Sequence, residues 1–196
     1  SPDAVGATPL QRRVKDRSFV QAVHLVGELV TLRLADGDDV AALVAIRATP
    51  EVRGRWRGED LERETLDSIG DDELRFLVIE DSDGRVVGAI QWAEEEEPEY
   101  RHANVDMYLH PGVHNRGFGT DAVRTLCRHL FEAEGHHRIT IDPAADNAAA
   151  IRCYEKVGFQ RVGVMRQYER GADGTFHDGL LMDLLATEFI VTIPTA

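Results

Sequence analysis

Hydrophobic and polar positions along this chain follow two different periods. Runs rich in apolar and β-branched residues, which favour strands, occupy residues 28–34, 75–81, 86–94, 102–110, 138–143, 160–169 and 176–186. Apolar residues recur at helical spacing in residues 40–46, 60–69, 119–134 and 147–157. The pattern predicts about seven strands interleaved with helices.

Turn and capping residues separate these segments. The Asp83-Gly84 pair lies between the second and third predicted strands and is a strong hairpin signal, so these two strands are expected to be antiparallel. The predicted helices are bounded by capping side chains and by terminal glycines, namely Asp36, Asp146 or Asn147, Gly135 and Gly158.

The periodic part of the chain fits one domain with two distinct ends. We expect the domain over residues 28–188, because 196 residues supply one full core and leave no room for a second. Residues 1–27 carry two prolines and a basic cluster, which favours a partly mobile N-terminal extension with a short helix. The apolar tail 189–196 is expected either to extend a neighbouring subunit's sheet or to fold back on its own, so both a monomer and a homodimer fit.

Composition narrows the choice of partners. The chain has 35 acidic and 22 basic residues and a formal net charge of −13, which disfavours nucleic acid as the main partner and makes a cationic partner plausible. No apolar run approaches the roughly 20 residues that cross a bilayer, and the N-terminus lacks an apolar segment of signal-peptide type. We therefore expect a cytoplasmic protein without a membrane or nucleic-acid partner.

Cysteines and histidines show no spacing typical of a metal site. Cys127 and Cys153 lie among apolar neighbours on predicted helices, where buried reduced thiols are expected. The eight histidines are scattered. No metal is expected.

The stretch NRGFG, residues 115–119, precedes a predicted helix and is suited to an anion. Glycines let backbone amides approach a phosphate, the helix N-terminus adds partial positive charge, and Arg116 adds a charge-assisted contact. A dinucleotide is one candidate, because Gly117, Gly119 and Ala122 fit the pattern G-x-G-x-x-A. The long gap after the preceding strand, the position past the middle of the chain and the antiparallel hairpin upstream weigh against it. The turn predicts a pyrophosphate that need not belong to NAD.

The same turn resembles the acyl-CoA-binding motif of the Gcn5-related N-acetyltransferase (GNAT) superfamily, Q/R-x-x-G-x-G/A, with Arg116 first and Gly119 fourth. The sixth position is Asp121, where the family has Gly or Ala. This position lies inside the predicted helix, so the difference is expected to affect local packing more than cofactor binding. About 30 residues further on, residues 142–159 resemble the family's second signature, an Asn that starts a helix ending in Tyr-x-x-x-Gly-Phe. The resemblance covers roughly residues 28–186.

The resemblance implies a fold and a cofactor. The fold is α/β (α+β), a single mixed, mostly antiparallel sheet of about seven strands, flanked by helices and splayed where acyl-CoA binds. The cofactor is acetyl-CoA. The residues expected to bind it are Tyr108, Leu109, His114, Asn115, Arg116, Gly117, Phe118, Gly119, Thr120, Asn147 and Ala150.

Within the superfamily, the stretches AIRCYEKVGF, IDP and VDMYL are most similar to aminoglycoside 6'-N-acetyltransferases. This likeness implies acetyl transfer to a primary amine of a cationic small molecule, with the 6'-amine of an aminoglycoside as the first hypothesis and antibiotic resistance as its consequence. Acetylation of a ribosomal protein's N-terminus, acetylation of a polyamine, and a non-enzymatic acyl-CoA- or drug-binding module are the alternatives.

Two residues are expected to carry the chemistry. Tyr154 matches the tyrosine that these enzymes place near the CoA sulfur, where its hydroxyl protonates the leaving thiolate. Asp106 lies on the opposite face of its strand from Val105 and Met107 and aligns with an acid of the aminoglycoside enzymes. An Asp with a pKa of about 3.9 is a poor direct base for an ammonium of pKa about 9 to 10, so burial or a relay water has to assist it. The charge that attracts the amine also raises the pKa of the amine, so orienting the substrate is the alternative role of Asp106.

Further substrate contacts are expected from residues at the same edge of the sheet. Asp142 ends a strand and matches an acid that contacts the drug in the resembled enzymes. Trp56 lies in a polar loop with little reason to hold a buried indole, Gln91 is similar in placement, and Glu95 belongs to an acidic run expected to line the entrance. Together with Asp106, these residues form the predicted substrate site.

Overall fold

The computed structural model describes residues 23–171 and 173–190. Its strands are β1 His24–Val26, β2 Thr31–Leu34, β3 Leu74–Glu80, β4 Val86–Glu95, β5 His102–Leu109, β6 Arg138–Ile141, β7 Gln160–Arg170 and β8 Phe176–Leu185. Its α-helices are α1 Val40–Arg47, α2 Pro50–Arg53, α3 Leu61–Gly70, α4 Phe118–Glu132 and α5 Ala148–Val157. The predicted extension as far as residue 22 and the tail from residue 191 lie outside the described residues.

The strands form one sheet in the order β1-β2-β3-β4-β5-β6-β8-β7. Neighbouring strands are antiparallel except for β5 and β6, which are parallel. The predicted mixed, mostly antiparallel sheet flanked by helices is therefore confirmed, with eight strands in the described residues where about seven were expected.

The additional strand is β1, which lies in the segment predicted to be an extension. It pairs with β2, Leu25 opposite Leu32. The strand predicted over residues 28–34 correspondingly begins only at Thr31. Residues 28–30 do not join this strand because their backbone amides donate to the Asp121 carboxylate and not to a neighbouring strand.

Two hydrophobic layers cover the two faces of the sheet. On one face, α4 and α5 pack through Leu126, Leu130 and Ile151 against fully buried strand residues such as Ile90. On the other face, α1 packs through Leu43 and Ile46 against alternate strand residues, as the period of two along a strand requires. The helices thus pack on both faces of the sheet.

The sheet opens between β5 and β6. Their parallel ladder pairs Ala103 with Ile139 and Asn104 with Thr140, and it ends there. Beyond this point β5 continues alongside β4 as far as Leu109, whereas the chain after β6 follows β8, with an isolated bridge from Ala144 to Gly179. The two halves of the sheet therefore separate into the splayed cleft that was expected.

Within residues 23–171 and 173–190, no helix combines the length and apolar character needed to cross a bilayer. No three His, Cys, Asp or Glu side chains in these ranges are grouped as ligands for a metal ion.

Candidate active site

The glycine turn before α4 has the conformation of an anion-binding loop. Asn115 and Gly117 both have positive φ angles, 59° and 89°, and Gly117 is the N-cap of α4 in the left-handed region. This conformation leaves the first amides of the helix directed out of its N-terminus, where no intrahelical acceptor exists. The turn therefore offers backbone donors and the positive end of the helix dipole to a phosphate.

Close packing explains why a glycine stands at position 119. A Cβ at Gly119 would lie 3.2 Å from the Cys153 Sγ atom and 3.3 Å from the Leu109 Cδ1 atom. The hydroxyl oxygen of the next residue, Thr120, lies 3.4 Å from the Cys153 Sγ atom. The two sequence signatures, far apart along the chain, thus meet where α4 packs on α5.

Other residues predicted to bind the cofactor lie next to this turn along the chain and at the start of α5. The Arg116 guanidinium lies 5.4 Å above the Phe118 ring centre, and the His114 Nε2 atom lies 3.1 Å from the Leu109 carbonyl oxygen. Asn147 caps α5, its side-chain oxygen accepting from the Ala150 amide at 3.2 Å. Arg116 and His114 thus lie in the turn segment, and Asn147 lies at the start of α5, the helix that packs against α4 through Cys153.

Asp121, which departs from the family motif, is a buried structural residue. Its carboxylate accepts from the amides of Glu28 at 3.1 Å, Leu29 at 2.7 Å and Val30 at 3.0 Å. The difference from the family motif therefore does affect local packing, because Asp121 fixes the turn between β1 and β2 against α4.

Asp106 lies on the floor of the cleft, on the segment of β5 beyond the β5–β6 ladder. Its carboxylate accepts from the Met107 amide at 2.8 Å. Desolvation by the surrounding protein raises its pKa to about 7, and the charges of Asp142 and Glu169 act in the same direction, against the Met107 hydrogen bond. Water also reaches the carboxylate from the open cleft, and this screening works against the shift. The direction of the shift favours a proton acceptor at neutral pH.

Asp142 faces Asp106 from the other side of the cleft. Asp142 follows β6, and its carboxylate accepts from the side-chain nitrogen of Asn104, Nδ2, at 3.2 Å. The same nitrogen also donates to the Thr140 hydroxyl at 3.1 Å. Asn104 therefore ties the two strands together at the point where they separate, and it orients Asp142. Sequence reasoning missed Asn104, because its alternation on β5 shows only that it shares a face with Asp106.

A bulge in β7 adds two further groups to the site. The register of β7 on β8 shifts between Met165 and Glu169, where Gln167 has a φ of 51°. There Tyr168 hydrogen-bonds Asp142, which raises the pKa of Tyr168 to about 12, and the Glu169 charge raises the pKa of Asp106. Neither residue was predicted, because the run 160–169 indicates an unbroken strand. Its one glycine, Gly163, lies at another register shift, next to Arg161, and does not mark the bulge at Gln167.

Tyr154 extends from α5 into the buried layer, with 5% of its surface exposed. Desolvation raises its pKa well above that of an ordinary tyrosine, and the Asp106, Cys153 and Asp142 charges add to this. The hydroxyl is thus kept protonated. Its interaction with both Asp106 and Asp142 places it at the junction of the cleft's two halves.

A cavity of about 230 Å³ opens on the α1–α3 face of the sheet. It is lined by two residues predicted to contact substrate, Trp56 and Gln91, and by Tyr108. Trp56 packs edge-on against Tyr108, with ring centres 4.7 Å apart. Gln91 lies opposite Asp106 in the β4–β5 ladder, so the cavity adjoins the carboxylate cluster.

Tyr108 and Glu95 differ from expectation in their surroundings. Tyr108 was expected to contact the cofactor, but its side chain lines the cavity. Only its backbone, as part of β5, remains available to the cofactor. Glu95 lies at the far end of β4, paired with His102 and roughly 14 Å along the strand from Gln91. Its carboxylate accepts from the Glu97 amide at 3.0 Å, so the structure does not bring Glu95 to the Asp106 cluster.

A mixed sheet that splays beside a helix N-terminus suited to a phosphate, with Tyr154 between the two halves, fits an acyl-CoA-dependent acyltransferase. The acetyltransferase (GNAT) domain family matches residues 30–160. The chain belongs to this family, and its cofactor is therefore acetyl-CoA.

Known relatives show several kinds of amine acceptor. The chain is 31% identical over 156 residues to aminoglycoside N(6')-acetyltransferase type 1 of Klebsiella pneumoniae, covering 69% of this chain and 76% of that protein. The fold matches spermidine N-acetyltransferase from Vibrio cholerae in complex with CoA and spermine, with a TM-score of 0.71, 22% identity and coverage of 82% of this chain and 97% of that one. It also matches ribosomal-protein-S5-alanine acetyltransferase from Vibrio fischeri, with a TM-score of 0.72, 15% identity and coverage of 86% and 100%.

Proposed function

We propose that this N-acetyltransferase transfers acetyl to the 6'-amine of aminoglycosides. The observation that carries the proposal is the meeting of three carboxylates, Asp106, Asp142 and Glu169, whose charges interact at the opening of the sheet. A cluster of like charges is costly unless a cation neutralises it, and an aminoglycoside carries several ammonium groups. The identity to an aminoglycoside 6'-acetyltransferase supports the same acceptor.

Asp106 is the proton acceptor in this proposal. The reacting amine has to lose a proton before it can attack, and a carboxylate whose pKa is near 7 takes that proton more readily than an ordinary aspartate. Asp142 and Glu169 hold other ammonium groups of the acceptor. Asn104 and Tyr168 position Asp142 through hydrogen bonds.

In the same proposal, Tyr154 is the proton donor. When the amine attacks the acetyl carbon, the C–S bond of the thioester breaks, and Tyr154 protonates the leaving CoA thiolate. Acetyl-CoA supplies the activated acetyl group. When bound, its pyrophosphate would be held by the amides of residues 117–120 and by Arg116. Tyr108 and Leu109 of β5, beyond the end of the ladder to β6, would hold its thioester through their backbone. Asn147 and Ala150, at the start of α5, are proposed to contact the cofactor as well.

The proposal is tested by the release of CoA thiol from acetyl-CoA. Purified protein is assayed in parallel with kanamycin, an aminoglycoside that has a 6'-hydroxyl, spermidine, and a peptide with a ribosomal protein's N-terminus. Turnover of kanamycin but not of the 6'-hydroxyl drug is expected. A preference for spermidine or for the peptide would identify that compound as the acceptor in place of the aminoglycoside. No thiol release with either drug would reject the aminoglycoside proposal.

A further inference from the structure

Two buried polar atoms beside the cavity have no hydrogen-bond partner among the described residues, the Arg47 Nε and the Tyr108 hydroxyl oxygen. Arg47 is 6% exposed and Tyr108 is 5% exposed, and both line the cavity. Burying a donor without a partner is destabilising, and native proteins rarely leave such groups unpaired without a reason. Both atoms therefore suit a ligand that enters the cavity.

The other nitrogens of Arg47 are already engaged. Its Nη2 atom lies 2.7 Å from the Glu64 carboxylate and 3.1 Å from the Arg57 carbonyl oxygen, and its Nη1 atom lies 3.4 Å from the Thr65 hydroxyl. These contacts fix the guanidinium plane and leave Nε as the donor still available. A ligand oxygen at this nitrogen would complete the hydrogen bonding of Arg47.

The charges around the cavity favour a neutral ligand. The Arg47 charge is balanced by Glu64, and Arg57 adds a further positive charge to the lining. An ammonium group in this cavity would face two guanidinium groups, whereas a carboxylate would face Glu64. A hydroxyl or ether oxygen accepts from the Arg47 Nε–H, and a hydroxyl also exchanges hydrogen bonds with Tyr108.

The position and size of the cavity connect it to the reacting amine. Tyr108 lies two residues beyond Asp106 on the same face of β5, a separation of about 7 Å along the strand. The volume of about 230 Å³ is below the roughly 300 to 1,000 Å³ typical of pockets for whole drug-sized ligands. It therefore suits a single ring attached to the amine that reaches Asp106.

We propose that Arg47 and Tyr108 select the acceptor by binding the hydroxyl groups of the sugar ring that carries the reactive amine. This inference rests on the proposed function and deepens it. The carboxylate cluster recognises the ammonium groups, and the cavity on the α1–α3 face recognises neutral oxygens. Hydroxyl-bearing amino sugars are then distinguished from amines of equal charge that lack these oxygens.

Two drugs with the same amines test this selection. Kanamycin B and dibekacin differ in the 3'- and 4'-hydroxyls, which dibekacin lacks. The wild-type protein is expected to favour kanamycin B in kcat/KM by about tenfold or more, the effect of about 1.4 kcal/mol from unpaired buried donors. In Tyr108→Phe the preference is expected to fall to about threefold or less. Equal kcat/KM for both drugs in the wild type, or a preference unchanged in Tyr108→Phe, would overturn the inference.

The variant is designed to fold. Tyr108→Phe removes a buried hydroxyl that has no protein partner, so its thermal stability is expected to equal or exceed that of the wild type. Tyr100→Phe, in a tyrosine that is 73% exposed, is the matched control and should keep the wild-type preference between the two drugs.

A binding measurement separates this inference from the proposed function. Methyl α-D-glucopyranoside has ring hydroxyls and no amine, so its binding does not depend on acetyl transfer. It is expected to shift the Trp56 indole signal in the ¹⁵N NMR spectrum of the wild type and not of Tyr108→Phe, with the Trp92 indole as internal reference. If neither drug is acetylated, the proposed function fails while a Trp56 shift still supports the cavity. No Trp56 shift at 100 mM glucoside would overturn the inference itself.

Discussion

At the residue scale, the site depends on two side chains whose surroundings change their acidity in the same direction. Desolvation raises the pKa of both Asp106 and Tyr154. For Asp106, which is charged when deprotonated, the shift turns a weak base into one matched to neutral pH. For Tyr154, it keeps the hydroxyl protonated and thus able to donate. The same desolvation therefore suits both residues to their proposed roles, Asp106 as proton acceptor and Tyr154 as proton donor.

Replacing Tyr154 by Phe should remove the proton donor and little else. We expect kcat to fall about 100-fold or more, the usual contribution of a positioned general acid, while acetyl-CoA binding is retained because the ring still packs in the buried layer. Stopped-flow or steady-state kinetics with kanamycin, together with calorimetric titration of CoA, measure the two effects. Wild-type turnover in Tyr154→Phe would remove this residue from the chemistry.

Replacing Asp106 by Asn should change the pH dependence of activity. In the wild type, kcat/KM is expected to fall as pH decreases through about 7, because the carboxyl group becomes protonated. Asp106→Asn should lose most of the activity and also lose this acidic limb. The measurement is kcat/KM from pH 5.5 to 9 for both proteins, and an unchanged limb in the variant would assign it to another group.

The same substitution should increase stability at neutral pH. The pKa of Asp106 is higher in the folded protein than the value of about 3.9 in an unfolded chain. Folding therefore favours its protonated form, and stability is lost as pH rises from about 4 to 7. In urea titrations, the stability of Asp106→Asn relative to wild type is expected to grow across this interval. A constant difference would contradict the raised pKa.

At the element scale, α4 joins the cofactor turn to the first strands of the sheet. Asp121 lies in its first turn, 5% exposed, and accepts three backbone hydrogen bonds. No pattern in the sequence reveals these partners, because they lie more than 90 residues away along the chain. The structure contains the turn that the motif indicated before α4, and only the fold showed why an acid follows it.

Asp121→Asn should destabilise the protein by about 3 kcal/mol. Hydrogen bonds to a charged group contribute about 1.5 to 3 kcal/mol each, and an amide nitrogen would face the donors that the carboxylate now accepts. Urea unfolding measures the loss. Glu132→Gln, at the exposed C-terminal end of α4, is the control and should change stability by less than about 0.5 kcal/mol. A similar small change in Asp121→Asn would show that the three contacts are replaceable.

The strands show which part of the site could be predicted. Alternation along β5 placed Asp106 on the face opposite Val105 and Met107, and the structure agrees, because Val105 is buried in the α4–α5 layer and Asp106 is accessible to water. The bulge at Gln167 was not predictable from composition, since a positive φ at a non-glycine residue arises from tertiary contacts such as the Gln167 amide donating to Asp178. Tyr168 and Glu169 were missed for that reason.

At the scale of the whole molecule, the net charge of −13 acts on the two substrates in opposite ways. It attracts a polycationic drug and repels acetyl-CoA, and salt screens both effects. Between low and high ionic strength, KM for kanamycin is expected to rise about three- to tenfold, whereas KM for acetyl-CoA should stay constant or fall. Initial-rate kinetics in increasing KCl test this, and a parallel rise of both KM values would point to general inhibition by salt.

The carboxylate of Asp121 also couples two events that would otherwise be separate. It holds the residue 28–30 turn and stands in the first turn of the helix whose N-terminus is proposed to receive the cofactor's pyrophosphate. Whatever orders one of these segments lowers the entropic cost of ordering the other. Occupancy by acetyl-CoA is therefore expected to slow hydrogen exchange in the turn between β1 and β2, at the amides of Glu28, Leu29 and Val30.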